Sequence, residues 1–274
     1  MTVLIPTDFS ESSENAIRYA LEYFSEIPVK FYLLHIPLDD FSQRPNTPAL
    51  ELNSPVEDRK ITNLQEQLAG CKLLGKNPEH RFMALFEKGL LVEAIRKQVA
   101  EKEVDFIIMG TNGALKANRN EIGSNTWEVI TKVKCPVLVI PVNAKFKTLT
   151  NISFLTDYNC IYRNKIISTL SESLQLHKAA LRVLHIRLQN LQLTTAQTDN
   201  KGFLHYFFKE TKHSFHFLDS KNIESGVQDF VKTWEIDLIA VVAKNLNLMQ
   251  RLLFKPNDHS KPFPCQVPFL ILHE

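Results

Sequence analysis

Glycine is scarce in this chain, with 8 in 274 residues, against a usual share of about 7%. That scarcity excludes collagen-like and glycine-rich low-complexity architectures. The four cysteines, Cys71, Cys135, Cys160 and Cys265, are scattered, with no CxxC pair. This argues against a zinc ribbon or a disulfide scaffold and predicts a reduced, cytoplasmic protein. No HExxH or similar ligand spacing occurs among the nine histidines, so no metal site is expected. No run reaches the roughly 18 apolar residues of a membrane span. The opening MTVLIPTDFS has neither a basic leader nor a small-residue cleavage site, so no signal peptide is expected. Net charge is only +2, too mild to predict a nucleic-acid or membrane-surface partner.

What is present is internal repetition. VDFIIMG at 104–110 matches IDLIAVV at 236–242, and CPVLVI at 135–140 matches VPFLIL at 267–272, both at an offset of 132. IPTDFS at 5–10 matches FLTDYN at 154–159 at an offset of 149, and LLHIP at 33–37 matches VLHIR at 183–187 at 150. The two halves therefore begin and end alike. The second is shorter by 18 residues, the difference between the offsets of 150 and 132, lost between its second and third strands. Repetition at this scale means two copies of one domain rather than a solenoid. The expected domains are 1–143 and 149–274, joined at the polar stretch VNAKFKTLT.

Within the first copy, short apolar runs at 2–6, 30–36, 81–89, 105–110 and 136–140 alternate with helical patterns at 10–24, 56–74, 90–102 and 124–133. Ser10 is a plausible N-cap, with Glu11 and Glu14 in the first turn. Strands at 151–156, 180–186, 214–218, 237–242 and 268–272 are expected in the second copy. The fold class predicted is α/β: two tandem, doubly wound, five-stranded parallel sheets of Rossmann-like form. Each copy ends in an apolar strand that would be an exposed edge. The copies are therefore expected to pair there as an intrachain pseudo-dimer; a homodimer of whole chains is a further expectation.

The scarce glycines are not evenly spread: Gly110, Gly113 and Gly123 fall within GTNGALKANRNEIGSN at 110–125. That loop follows the fourth strand, where open α/β sheets bind ligands. Glycine allows positive φ and close approach to backbone. A helix N-terminus, here near Gly123 and Ser124, offers free N–H groups to an anion. The spacing G-x2-G-x9-G-S thus makes sense as a phosphate cradle, although plain turns are the commoner use of such glycines. It is neither a Walker A loop nor G-x-G-x-x-G.

The spacing resembles the hallmark of the universal stress protein family, with IPTDFSE at 5–11 and CPVLVIP at 135–141 as supporting matches. The resemblance spans 1–141 and, degraded, 150–274. It implies an adenine nucleotide, ATP or AMP with or without Mg²⁺, bound in the first copy, and a stress-response role exerted by binding. It implies that Pro6, Thr7 and Asp8 shape and line the first turn, with Asp8 near ribose and phosphates. Ile36 is implied to contact adenine, and Gly110, Thr111, Gly113, Gly123, Ser124 and Asn125 to form the ribose and phosphate shell. Lys116 and Arg119 are more simply solvated charges; Asp8 can also cap the helix at 10–24, and both roles can hold at once.

No general base, nucleophile or metal triad is evident beside the loop. A slow Mg²⁺-dependent ATPase using Asp8 is one alternative function; an interaction protein without a nucleotide is another. His35 and His185 read as packed strand-end histidines, Trp127 and Ile130 as core, and His205, His213 and His216 as too loosely spaced for a metal. In the second copy, Val242, Asn245, Lys255 and Pro256 replace the four signature residues. A phosphate cradle is therefore not expected there.

Overall fold

The structure is a computed structural model describing residues 1–37, 55–111, 122–162, 164–187, 192–220, 223–244 and 266–273, with only the backbone of 55–57. The first half runs β1 (Thr2–Pro6), α1 (Glu11–Tyr23), β2 (Lys30–His35), α2 (Pro55–Leu74), β3 (Arg81–Phe86), α3 (Leu91–Glu101), β4 (Phe106–Gly110), α4 (Ser124–Lys132) and β5 (Val137–Ile140). The second half runs β6 (Asn151–Leu155), α5 (Asn164–His177), β7 (Ala180–Arg187), α6 (Thr195–Phe207), β8 (His213–Asp219), α7 (Ile223–Thr233), β9 (Leu238–Val242) and β10 (Phe269–Leu272). Every strand expected from the sequence is present, most within a residue or two of the expected bounds. The missing length falls where expected: α2 has 20 residues and its counterpart α6 has 13.

All ten strands form one sheet, ordered β3-β2-β1-β4-β5-β10-β9-β6-β7-β8. Pairing is parallel within each half and antiparallel at the single β5–β10 junction. There Val139 faces Phe269, Leu138 faces Leu270 and Val137 faces Ile271. The order reads as a palindrome of equivalent strands, so the halves are related by a pseudo-twofold axis through that junction. Joining two apolar edges removes both as exposed templates. Val137, Leu138, Val139 and Ile271 are fully buried.

The sheet is covered on both faces, which is why its strands read as continuous apolar runs rather than alternating ones. Val3, Ile5, Ile152 and Phe154 point into one core, with the buried faces of α1 and α5. Leu4, Leu155, Ile239 and Ile271 point into the other, with α3, α4 and α7. Each core runs through both halves.

Matched carboxylates fix the strand starts. Asp105 accepts from Thr2 N at 2.8 Å, and its counterpart Asp237 accepts from Thr150 N at 2.7 Å and Asn151 N at 3.0 Å. Asp237 also pairs with Lys147 at 2.6 Å. Burial alone would raise its pKa, but these bonds more than offset that and hold the carboxyl below its ordinary value. The connector is pinned to α1 by Asn15, whose Nδ2 donates to Pro141 O at 3.0 Å and Ala144 O at 2.9 Å.

Candidate functional site

The strand-order reversal in the first half lies between β1 and β4, the position where doubly wound sheets hold ligands. A cavity of about 110 Å³ opens there. Six of the ten expected site residues line it: Pro6, Thr7, Asp8, Ile36, Gly110 and Asn125. Leu34 and Met109 supply further apolar wall. The cavity is smaller than the roughly 300 Å³ of an ordinary small-molecule site. Chain 112–121, including Gly113, Lys116 and Arg119, lies outside the described residues.

The turn after β1 is built from hydroxyls. Ser10 is the N-cap of α1, as expected, and accepts from Ser13 N at 3.2 Å. Asp8 is not itself the cap. Its Oδ1 accepts from Ser10 N at 3.1 Å and Ser10 Oγ at 2.6 Å, and so holds the cap in place. Thr7 Oγ1 accepts from Phe9 N at 3.2 Å and donates to Ser13 Oγ at 3.2 Å. The carboxylate of Asp8 remains on an exposed residue at the cavity wall.

Gly110 and Gly123 have identifiable packing and capping roles in the fold. Gly110 is not at positive φ. A Cβ there would lie 2.7 Å from Ser12 O and on top of the Ser12 hydroxyl. The residue is small so that α1 can cross the end of β4. Gly123 is the N-cap of α4, with φ −67° and ψ 153°, and Ser124 is the first helical residue rather than the cap. Gly123 N is already used, donating to Thr111 O at 2.6 Å. Among the described residues no side chain caps α4, so the amides of its first turn, beginning at Ser124 and Asn125, have no capping acceptor there. Thr111 Oγ1 is buried and without a partner among the described residues.

Six lining residues were missed, Leu34 and Met109 among them. Ser13 and Thr126 are buried hydroxyls. Thr126 Oγ1 donates to Gly110 O at 2.9 Å, tying α4 to the end of β4. Gly89 lines the cavity at φ +110°, a conformation that favours glycine, and Leu91 follows it. In a glycine-poor chain, Gly89 at the end of the expected third strand was the available signal.

His35 and His185 are packed, as expected. Each donates Nδ1–H to the threonine carbonyl of its own turn, Thr7 at 2.8 Å and Thr156 at 3.0 Å. Burial lowers the pKa of His35, with the Thr7 carbonyl working the other way. Ile130 is fully buried, and Trp127 packs on the same core. His205 Nδ1 and His213 Nε2 meet at 2.9 Å, but His216 turns instead to Trp234, with ring centroids 4.2 Å apart. Among the described residues no group of three potential ligands gathers.

The second half differs at the equivalent place. Val242 ends β9, buried, where Gly110 ends β4. Tyr162 replaces Ser13, and its OH meets Thr156 Oγ1 at 2.7 Å. Asn245, Lys255 and Pro256 lie outside the described residues.

Fold and site together define a class: a tandem pair of doubly wound α/β units, with an opening at the switch point of the first. The model of the universal stress protein family matches residues 1–141, and the chain belongs to that family. Two universal stress proteins of Methanocaldococcus jannaschii are similar to its first half. One is 27% identical over 139 residues, covering 50% of this chain and 80% of the relative. The other is 28% identical over 150 residues, covering 50% and 93%. Over the whole length, the chain resembles the crystal structure of a universal stress protein from Archaeoglobus fulgidus. That likeness has a TM-score of 0.70 at 16% identity and covers 98% of this chain and 97% of the other. A functionally unknown protein from Pseudomonas aeruginosa is similar at a TM-score of 0.58 and 14% identity, covering 99% and 92%. At such identities these structures speak for the fold alone.

Proposed function

We propose that this protein binds an adenine nucleotide, ATP or AMP, in its first half and acts in a stress response through that binding. The observation that carries the reading is the convergence of Pro6, Thr7, Asp8, Ile36, Gly110 and Asn125 on one cavity beside the uncapped start of α4. Leu34, Ile36 and Met109 offer an apolar wall suited to a base. The amides of Ser124 and Asn125 suit a phosphate, and Thr111 Oγ1 is a hydroxyl in want of a partner. Binding is favoured over turnover because Asp8 is the one ionisable side chain among the described lining residues. It is already engaged by Ser10. Mg²⁺, if taken with the nucleotide, would meet the carboxylate of Asp8 at the cavity wall.

The two domains are read as 1–143 and 149–274, a division supported by β5 ending at Ile140 and β6 beginning at Asn151. A cytoplasmic location belongs to the same reading.

Calorimetric titration of the whole chain with ATP and with AMP tests it. Gly123 has an ordinary extended backbone, so Gly123→Val strains no dihedral while putting a branched side chain beside the α4 amides, and circular dichroism checks that this buried position still folds. Nucleotide binding should disappear in that variant. Unchanged affinity would refute the cradle.

A further inference from the structure

The turn between β1 and α1 separates two openings. Thr7 and Asp8 line the pocket described above, whereas Phe9 lines a groove of about 400 Å³ between α1 and α2. Ile17 and Leu74 give this groove apolar walls, and Glu14, Glu66 and Gln67 give it acceptors. Arg18, the one cation among the described lining residues, is paired with Glu14 at 3.4 Å. Gln67 Oε1 is buried and accepts no hydrogen bond among the described residues.

The second half shows what such a turn accepts. There α6 lies directly on it, with Gln197 Nε2 donating to Asp157 O at 2.8 Å and Asn200 Nδ2 donating to Tyr158 O at 2.8 Å. Two N–H₂ groups thus face the turn from its helix. In the first half α2 makes neither contact among the described residues, and the space it leaves is walled by acceptors.

We propose that the α1–α2 groove binds a small organic ammonium ion with an apolar stem, an alkylamine or diamine. An ammonium head has three donors and no acceptor, which matches Gln67 Oε1 and the carboxylates of Glu14 and Glu66. The Phe9 ring adds a face for the cation. The methylene stem lies against Ile17 and Leu74, as lysine stems do on apolar surface. A phosphate-bearing ligand is disfavoured here, because it would face two carboxylates. The inference does not rest on the nucleotide reading, since the groove and the nucleotide pocket share no lining residue.

The test uses the full chain without nucleotide. Diaminopentane is titrated by calorimetry and by NMR, in parallel with pentanediol, its neutral counterpart of equal length. Saturable binding of the diamine, one per chain, is expected, with the diol at least about tenfold weaker. Glu66→Gln, at an exposed position, should fold normally and weaken the diamine about fivefold, the scale of one exposed charge contact. Gln67→Leu should weaken it by a similar factor. Perturbed resonances should centre on Phe9, Ile17 and Leu74. No saturation into the millimolar range would overturn the proposal. So would equal binding of the diol, unchanged affinity in Glu66→Gln, or perturbations centred elsewhere.

Discussion

Gly110 and Ser12 touch so closely that a methyl group on the glycine would lie 2.7 Å from the serine carbonyl oxygen. The equivalent of Gly110 in the second half is Val242, a buried β-branched residue. The accommodation is visible in where the helix starts. α1 begins four residues after Thr7, whereas α5 begins eight after Thr156. The helix start has drawn back about one turn, and valine has filled the space.

Gly110→Ala should therefore destabilise the protein by about 1–3 kcal/mol, the usual penalty for overpacking. Val242→Gly should also destabilise, by lost burial and a cavity. Urea unfolding of both variants checks this. A neutral Gly110→Ala would mean that α1 can shift aside cheaply.

Nucleotide stoichiometry should be one per 274-residue chain. Where the first half presents Gly110 and Ser13, the second presents Val242 and a Tyr162 ring bonded to Thr156. Equilibrium titration with ATP decides it, and two sites of like affinity would count against the asymmetry.

Val139→Asp should unfold or aggregate the protein. The residue is fully buried at the β5–β10 junction. An unpaired carboxylate there costs several kcal/mol and leaves two apolar edges open. Size-exclusion chromatography and calorimetric Tm measure the outcome. A soluble variant with native Tm would show that the junction does not hold the halves together.

Acid should weaken the contact between α1 and α5. His177 is enclosed by Tyr23, at 4.3 Å between ring centroids, and by Phe146 at 6.1 Å. Burial pushes its pKa down to about 4. The folded state disfavours the charged imidazole, so the unfolded chain takes up its proton first. This stability is present above the unfolded pKa of about 6.5 and is lost progressively as pH falls from there toward 4. Buried His273, also pushed down to about 4, adds to the same window. His177→Gln should flatten the slope of stability against pH between those limits. An unaltered slope in urea unfolding across that range would sink the assignment.

The turns after β1 and β6 separate fold from function. Phe9 sits at φ +62° and Tyr158 at φ +58°, both costly for bulky residues. Each has its N–H held by a threonine hydroxyl and its ring against a strand-end histidine, Phe9 on His35 at 4.4 Å and Tyr158 on His185 at 5.2 Å. The half without the glycine signature keeps the same strained turn. The strain therefore belongs to how the strand enters the helix, not to the ligand.

The sequence alone determined the elements, their alternation and the repeat, because strand burial and helix periodicity are local and leave a pattern in the residues. It also determined which half holds the glycine signature. Packing decided the rest. Only the tertiary structure showed that Gly110 answers to Ser12, a residue 98 positions earlier, that Gly123 rather than Ser124 caps α4, and that Gly89 belongs to the pocket. A glycine in the sequence reports that something comes close; what comes close is a long-range contact, and spacing along the chain does not encode it. The open groove beside Phe9 and its closed counterpart under α6 have the same origin. They depend on how near each helix lies to its turn, which two lengths of chain, 20 residues and 13, settle only when the helices are packed.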